Sequence, residues 1–159
     1  TMTALRPVLD TLLLVVTANL LPWVAGRLLG RHGATPLDFG VVLPDGARLF
    51  GAHKTWRGVA AAMAGCAAVA TLLGHGPGVG AAFGALAMAG DAVSSGVKRR
   101  LRRPPGTEIP GLDQLPEALL PALVLAGPLG IGTSGVVAVA AIFLLLNVAF
   151  TRVRQGHAR

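Results

Sequence analysis

The sequence is short of the residues that build disulfides, redox centres and zinc sites. Its single cysteine, Cys66, cannot form an intramolecular disulfide, and we expect it to fill space in an alanine-rich helix. The four histidines, at positions 32, 53, 75 and 157, lack the close spacing of a zinc site. No internal repeat, heptad pattern or nucleic-acid-binding motif is present. Any chemistry is therefore expected from carboxylates, hydroxyls and cations.

Charge is also scarce, because only 13% of the residues are charged whereas 53% are hydrophobic. Such a composition is typical of a membrane protein, and crossing the roughly 30 Å hydrocarbon core takes about 20 mostly apolar residues. The sequence predicts an all-α integral membrane protein, a single domain over residues 1–159. About five transmembrane helices are expected, at about 7–29, 59–73, 79–97, 115–129 and 134–150. Three prolines interrupt the fourth run.

The first apolar run also resembles a secretory signal peptide, since Arg6 precedes it. However, no small-residue cleavage site follows promptly, and Asn19 and Pro22 interrupt the run. We therefore expect a retained first helix.

Basic residues are distributed very unevenly along the chain. Thirteen of the fourteen lie at positions 27–57, 98–103 or after 151, and only Arg6 lies elsewhere. Short loops rich in Lys and Arg stay cytoplasmic, which predicts an external N-terminus and cytoplasmic loops at about 30–58 and 98–114 of a prokaryotic cytoplasmic membrane protein. The net charge of +7 then suits anionic headgroups or phosphates at that surface, with no nucleic-acid partner.

The first cytoplasmic loop carries more information than a connector needs. Apolar residues at 41–43 and 49–50 flank a Pro-Asp-Gly turn at 44–46, a pattern typical of a small β-hairpin. We expect this loop to form part of a binding surface.

The stretch GDAVSSGVKRR places carboxylate, hydroxyls and cations on one helical stripe. Asp91, Ser94, Ser95, Lys98 and Arg102 recur at helical spacing. A basic run at a helix end is ordinary membrane anchoring, and Asp91 could simply pair with an arginine. Placing a charged side chain at the centre of a transmembrane helix nevertheless costs about 2.5–3.5 kcal/mol of insertion free energy, and less near the helix end. A carboxylate at Asp91 therefore needs a partner or a metal ion.

Lysine usage favours a phosphate site over an anchor. Only two of the fourteen basic residues are lysines, Lys54 and Lys98. A compact ammonium is a point charge suited to phosphate.

The remaining carboxylates have simpler interpretations as well. Asp45 is a natural turn residue, and Asp38 could be a solvated loop charge. Asp113 is suited equally to capping a helix and to binding metal, and the two roles are compatible. The role of Glu117 is left open.

Four ordered motifs, PLDFG, DGARLFGAHKTWRG, GDAVSSGVKRRL and GLDQLPE, together resemble the CDP-archaeol synthase family over about residues 19–120. The resemblance implies a five-helix membrane enzyme that transfers a cytidylyl group from CTP to a lipid phosphate. Release of pyrophosphate and dependence on magnesium (Mg2+) are also implied.

The same resemblance implies roles for individual residues. Asp91 and Asp113 would be metal ligands and, with Lys98, catalytic residues. The substrate-binding residues would be Asp38, Lys54, Thr55, Arg57, Ser94, Ser95, Arg99, Arg100 and Gln114. Gly96 departs from the family, which usually has a bulky aromatic residue there, and we expect it to loosen the helix or widen a lipid groove.

Elementary electrostatics agrees with such a site. Two unit charges 4 Å apart repel by about 4 kcal/mol at an effective dielectric of 20, so joining a lipid phosphate to CTP requires several cations. No general base is needed, because the lipid phosphate is already ionised near neutral pH.

Several questions stay open at the level of sequence. The lipid could be an isoprenoid ether phosphate or a phosphatidate, and the small residues of the second and third helices would permit a homodimer. The rival interpretation is a non-catalytic membrane protein, such as a small transporter subunit, that holds anionic headgroups. In that case Asp91 and Asp113 would be dispensable.

Overall fold

The computed structural model describes residues 2–104, 107 and 109–156, so His157 and part of the predicted loop 98–114 lie outside the described residues. Six helices are present in these ranges. They are α1 (Met2–Leu29), α2 (Trp56–Leu73), α3 (Pro77–Arg100), α4 (Gln114–Val124), α5 (Ala126–Leu129) and α6 (Thr133–Gly156). The all-α prediction is confirmed for the described chain.

Local sequence signals set the ends of α2 and the start of α3. The Thr55 hydroxyl accepts a hydrogen bond from the Gly58 amide at 3.2 Å and caps the start of α2. Gly74, at φ 88°, ends α2 in the left-handed conformation that glycine adopts readily. Pro77 occupies the first turn of α3, where its missing N–H costs nothing.

Small residues bring α3 very close to its two neighbours. A side-chain carbon at Gly80 would lie 2.1 Å from the Cys66 carbonyl oxygen on α2, and one at Gly90 would lie 2.3 Å from the Pro116 carbonyl oxygen on α4. The glycines thus serve packing within the chain, and the homodimer stays a prediction. Close approach at Gly90 places the neighbouring Asp91 beside the start of α4.

The core is built from all five longer helices. It is rich in small and medium side chains, in keeping with close helix packing in membranes. Its members include Leu14, Val15 and Ala18 of α1, Cys66 and Ala70 of α2, Phe83 and Ala87 of α3, Ala118 and Ala122 of α4, and Val139 and Phe143 of α6. Cys66 is buried, as expected.

The predicted spans agree with the helices unevenly. Within the described residues, Leu5–Leu29 and Trp56–Leu73 are long and apolar enough to cross a membrane, and Thr133–Ala149 is a shorter apolar helix. The fourth predicted span is wrong as a continuous helix, because it divides at Leu125 into α4 and α5. At 1.5 Å per residue, the 11 residues of α4 extend only about 16 Å.

The predicted β-hairpin is also wrong in detail. Val42 and Arg48 form one isolated antiparallel bridge, and no strand occurs among the described residues. The turn itself is present, since Oδ1 of Asp45 accepts a hydrogen bond from the Ala47 amide at 3.0 Å. The amides of Leu43 and Leu49 donate across the turn to the carbonyl oxygens of Ala47 at 2.9 Å and Val41 at 3.0 Å, so backbone pairing is limited to this one bridge.

Candidate active site

Lys54 and Asp91 form an ion pair where α2 begins and α3 nears its end. The Lys54 ammonium contacts Oδ2 of Asp91, and each side chain is about one quarter exposed, 25% and 23% respectively. Both line a cavity of about 610 Å3 bounded by α1, the first loop, α2 and α3. An acidic and a basic group therefore face the same open space.

Lys98, in the last turn of α3, and Asp113, just before α4, form a second ion pair. Nζ of Lys98 lies 2.6 Å from Oδ1 of Asp113 and also donates to the Thr107 carbonyl oxygen at 3.2 Å. Asp113 occupies the position before α4 but makes no capping hydrogen bond, because Oδ2 accepts the Ile109 amide at 2.9 Å. Of the two interpretations left open for Asp113, capping is therefore wrong.

Glu117 lies next to both pairs, and sequence reasoning left its role undecided. It is buried on α4, close to Gly90, and is subject to the charges of Asp91, Lys54 and Asp113. Its Oε1 has no hydrogen-bond partner among the described residues. The sequence feature that could have identified Glu117 as a site residue is its spacing of four from Asp113, which is the spacing of residues on one helical face.

Thr55 and Arg57 line the same cavity, but each already has structural partners. The Thr55 hydroxyl caps α2, and Nη1 of Arg57 donates to the carbonyl oxygens of Gly30 at 3.0 Å and His32 at 2.6 Å. Arg57 thus ties the start of α2 to the end of α1. Asn19 of α1, which the motifs did not indicate, completes the wall.

The two serines lie outside the lining of this cavity. Ser94 and Ser95 are both buried, and the Ser94 hydroxyl donates to the Asp91 carbonyl oxygen at 2.9 Å. Their predicted contact with phosphate stays a prediction. In the structure Ser94 supports the helix at Asp91.

Asp38 organises the first loop. Its buried carboxylate accepts hydrogen bonds from the Arg48 guanidinium and from the amides of Gly40, Phe50 and Gly51. Burial alone would raise the pKa of Asp38, but these donors together hold it well below its ordinary value. Asp38 is not among the residues lining the cavity, so its substrate-binding role stays a prediction beside this observed structural one.

A second, strongly basic cavity of about 480 Å3 adjoins the first. It shares Ala52 and His53 with the first cavity, and its charged lining residues include Arg48, Arg99, Arg102 and Arg103. The predicted Arg99 therefore faces open space.

Arg100 and Gln114 fasten elements together. Nε of Arg100 lies 3.0 Å from Oδ2 of Asp45, and Nη2 donates to the Arg48 carbonyl oxygen at 2.7 Å, which holds the first loop against α3. The buried Gln114 accepts the Gly111 amide at 2.8 Å and donates to Oδ1 of Asn147 at 2.9 Å. Gln114 thereby links α4 to α6.

Gly96 has a packing role. A side-chain carbon there would lie 3.4 Å from the Leu49 carbonyl oxygen and 3.6 Å from the Phe50 ring. The first loop therefore rests directly on α3 at this position. α3 is continuous through Gly96, and the looser helix or wider lipid groove stays a prediction.

The donor set fits a metal ion that also binds substrate. Within the described part of the chain, no group of three or more His, Cys, Asp or Glu side chains is placed to hold a metal by itself. Magnesium, however, is commonly bound by one or two carboxylates together with substrate phosphates. Asp91 on α3 and Asp113 just before α4 provide two carboxylates of this kind.

The chain resembles proteins of one family over most of its length. A profile of the CarS-like CDP-archaeol synthase family matches residues 4–76 and 78–153. A CDP-archaeol synthase of Aeropyrum pernix is 40% identical over 157 residues, covering 89% of this chain and 84% of the relative. A CDP-archaeol synthase of Pyrococcus furiosus is 40% identical over 110 residues, covering 60% of this chain and 63% of the relative.

The similarity extends to three-dimensional structure. A solved structure of an intramembrane enzyme for archaeal membrane lipid biosynthesis superposes with a TM-score of 0.71 at 36% identity, covering 89% of this chain and 90% of that one. The resemblance carried by the four motifs is thus confirmed, as are the predictions of an enzyme and of an integral membrane protein. The chain belongs to the CDP-archaeol synthase family.

Proposed function

We propose that this protein transfers a cytidylyl group from CTP to a membrane lipid phosphate, giving a CDP-activated lipid and pyrophosphate. One observation carries the proposal. Two carboxylates and two ammonium groups lie near the ends of α2, α3 and α4, paired as Lys54 with Asp91 and Lys98 with Asp113. The first of these pairs lines an open cavity. Family membership gives this arrangement its reaction class.

The proposed reaction is a phosphoryl-centre substitution that balances without a redox partner. An ionised oxygen of the lipid phosphate forms a bond to the α-phosphorus of CTP, and the bond from that phosphorus to the bridging oxygen breaks. Pyrophosphate leaves with the electron pair. Such reactions depend mainly on positioning and charge stabilisation, so the cations matter more than any base.

The basic residues divide between the two cavities. Lys54 and Arg57 face the larger cavity, and Arg99 faces the smaller one. We assign these side chains, with Lys98, to the phosphates of CTP and of the lipid. Each cation lowers the repulsion between two anions that must come within bonding distance.

We assign a magnesium ion to Asp91 and Asp113, and its chemistry when bound would be to neutralise and align phosphate oxygens. The support is the donor set and the nearby unpartnered oxygen of Glu117. The protein's part is to fix the two carboxylates on separate helices, α3 and the start of α4, whose spacing is set by the glycine contact at Gly90.

The site would lie at the cytoplasmic ends of five membrane passes, with α4 and α5 together forming the fourth. This orientation is supported by the positions of the basic residues, since thirteen of fourteen lie in the segments predicted to be cytoplasmic. The charged pairs and both cavities involve the same segments. Large apolar side chains remain exposed on α1 and α6, as expected for surfaces against lipid. CTP would then enter from water and the lipid from the bilayer.

The substrate class follows from the relatives. Two proteins 40% identical to this chain are CDP-archaeol synthases, which supports an isoprenoid ether lipid phosphate as acceptor. Phosphatidate is the alternative to be compared directly.

The test is pyrophosphate release by purified full-length protein with magnesium, both lipid phosphates and each of the four nucleoside triphosphates. We expect turnover with CTP alone and its loss in Asp91→Asn. Asp10→Asn is the matched control, because Asp10 pairs with His75 at the opposite end of α2. Absence of turnover with every pair, from protein shown to be folded, would reduce the site to an anion-binding surface.

A further inference from the structure

The chain uses its two kinds of basic residue for different carboxylates. Arginine pairs with Asp38 and Asp45, carboxylates that fasten the first loop. Asp10 is held by His75 at 3.0 Å, with Arg6 farther away at 3.8 Å. The only two lysines of the sequence pair with Asp91 and Asp113, the carboxylates assigned above to magnesium. Each assigned ligand therefore has an ammonium as its cationic partner.

An ammonium is easier to exchange than a guanidinium. Arginine holds a carboxylate through a rigid planar fork, whereas lysine offers a point charge on a flexible four-carbon stem. Oδ2 of Asp91 and Oδ1 of Asp113 are in direct contact with their lysines. A divalent cation bound about 2.0–2.1 Å from either oxygen would repel that ammonium strongly.

We propose that Lys54 and Lys98 compete with magnesium for Asp91 and Asp113, so that cation binding moves the two ammonium groups from the carboxylates to the substrate phosphates. The inference rests on the proposed function, because it adopts its metal ligands. It adds an order of events to that function, because the lysines can bind substrate phosphates only after the metal ion has bound to the carboxylates.

The surroundings of both lysines allow this exchange. Lys54 shares its cavity with Thr55 and Arg57, so its ammonium can leave Asp91 and stay in the same open space. The Lys98 ammonium already has a second acceptor in the Thr107 carbonyl oxygen.

If the lysines compete with the metal ion, replacing one lysine should raise the affinity for Mn2+ and lower the affinity for CTP. We would measure Mn2+ binding to the detergent-solubilised full-length protein without nucleotide, by electron paramagnetic resonance, for wild type, Lys54→Met and Lys98→Met. Each substitution should tighten Mn2+ binding about tenfold, equivalent to about 1.4 kcal/mol. In the presence of Mn2+, CTP binding to the same variants should weaken about tenfold, whereas a merely damaged site would lose both affinities.

Controls separate direct competition from general electrostatics. Arg100→Met removes one positive charge from an ion pair with Asp45 and should leave Mn2+ affinity within twofold of wild type. The gain in the lysine variants should persist in 1 M salt, where the Debye length is about 3 Å. Two independent lysine variants guard against one that fails to fold.

The outcomes distinguish this inference from the proposed function. Loss of Mn2+ binding in Asp91→Asn together with tighter binding in a lysine variant supports both. Loss in Asp91→Asn with unchanged or weaker Mn2+ binding in both folded lysine variants overturns the exchange alone. Unchanged Mn2+ binding in Asp91→Asn overturns the metal assignment and the exchange with it.

Discussion

The two ends of the helix bundle use similar charged residues in different ways. At one end, residues 30–55 join α1 to α2, and the Lys54–Asp91 pair faces an open cavity. At the other end, residues 74–76 suffice to join α2 to α3, and Asp10 is held by His75 at 3.0 Å and Arg6 at 3.8 Å. An ion pair alone therefore does not mark a site. What distinguishes the candidate site is the open cavity beside Lys54 and Asp91.

The largest expected difference between the two ends is in turnover. Asp91→Asn should reduce kcat by about 1,000-fold, since removing one charge-stabilising group from a preorganised site commonly costs 10²- to 10³-fold. Asp10→Asn, which changes the same group at the opposite end, should keep kcat within about threefold. Pyrophosphate release under saturating CTP and lipid measures both, and equal losses would erase the distinction between the ends.

Helix spacing gives the next largest contrast. Gly90→Ala places a carbon 2.3 Å from the Pro116 carbonyl oxygen and should cost about 3 kcal/mol of unfolding free energy, with loss of turnover as Asp91 and Asp113 move apart. Gly78→Ala, near the start of α3, meets no atom within 4 Å and should be neutral or stabilising. Denaturation of the two variants in detergent tests this, and a stable, active Gly90→Ala would contradict the close packing.

Loop stability should depend on pH through Asp38. Because folding lowers the pKa of Asp38, its stabilisation is fully present above the ordinary value of about 3.8 and is lost as the pH falls toward the lower folded value. Asp38→Asn should cost about 2 kcal/mol at pH 7 and remove this component of the pH dependence below about pH 4.

Thermal unfolding between pH 7 and pH 3 measures the Asp38 effect. At this chain length about 2 kcal/mol corresponds to roughly 4–8 °C in Tm. Asp10→Asn is the control from the opposite end. Equal Tm values for wild type and Asp38→Asn at pH 7 would show that the carboxylate does not stabilise the loop.

The smallest effect is expected at the contact between the first loop and α3. Arg100→Met removes the ion pair with Asp45 and the hydrogen bond to the Arg48 carbonyl oxygen. The first loop should then be held less firmly against α3, and the lining residues of the basic cavity should be less well positioned. We expect KM for CTP to rise about threefold to tenfold with kcat little changed. Arg6→Met, from the opposite end, should leave both constants unchanged, and a fall in kcat without a change in KM would argue against a loop-positioning role for Arg100.

Parts of the fold followed directly from residue patterns. Apolar runs indicated helices where α1, α2, α3 and α6 lie, and Asp45 was expected to form a turn. The fourth run did not form one helix, because its prolines and glycines allow a break that only packing against α3 and α6 positions. The hairpin was predicted from the Pro-Asp-Gly turn and its apolar flanks, whereas the buried Asp38 carboxylate holds the loop through hydrogen bonds from Arg48, Phe50 and Gly51.

The residue pattern indicated which charged groups to consider at the site, but not which side chains surround them. Asp91, Asp113 and both lysines were singled out, and the structure brings them together in pairs. Ser94 was placed correctly on the stripe with Asp91, but a helical stripe does not reveal which part of it is covered by neighbouring helices. Glu117 was left undecided because its significance depends on the contact of α4 with Gly90.

The sequence by itself determined the membrane composition, the family and the kinds of group at the site, since these depend on residue types and their order along the chain. Tertiary structure alone decided which carboxylate each lysine contacts, which arginines are committed to loops, and where open space remains. Those features depend on distances between residues far apart in sequence, such as Lys54 and Asp91, and side-chain packing in three dimensions fixes such distances.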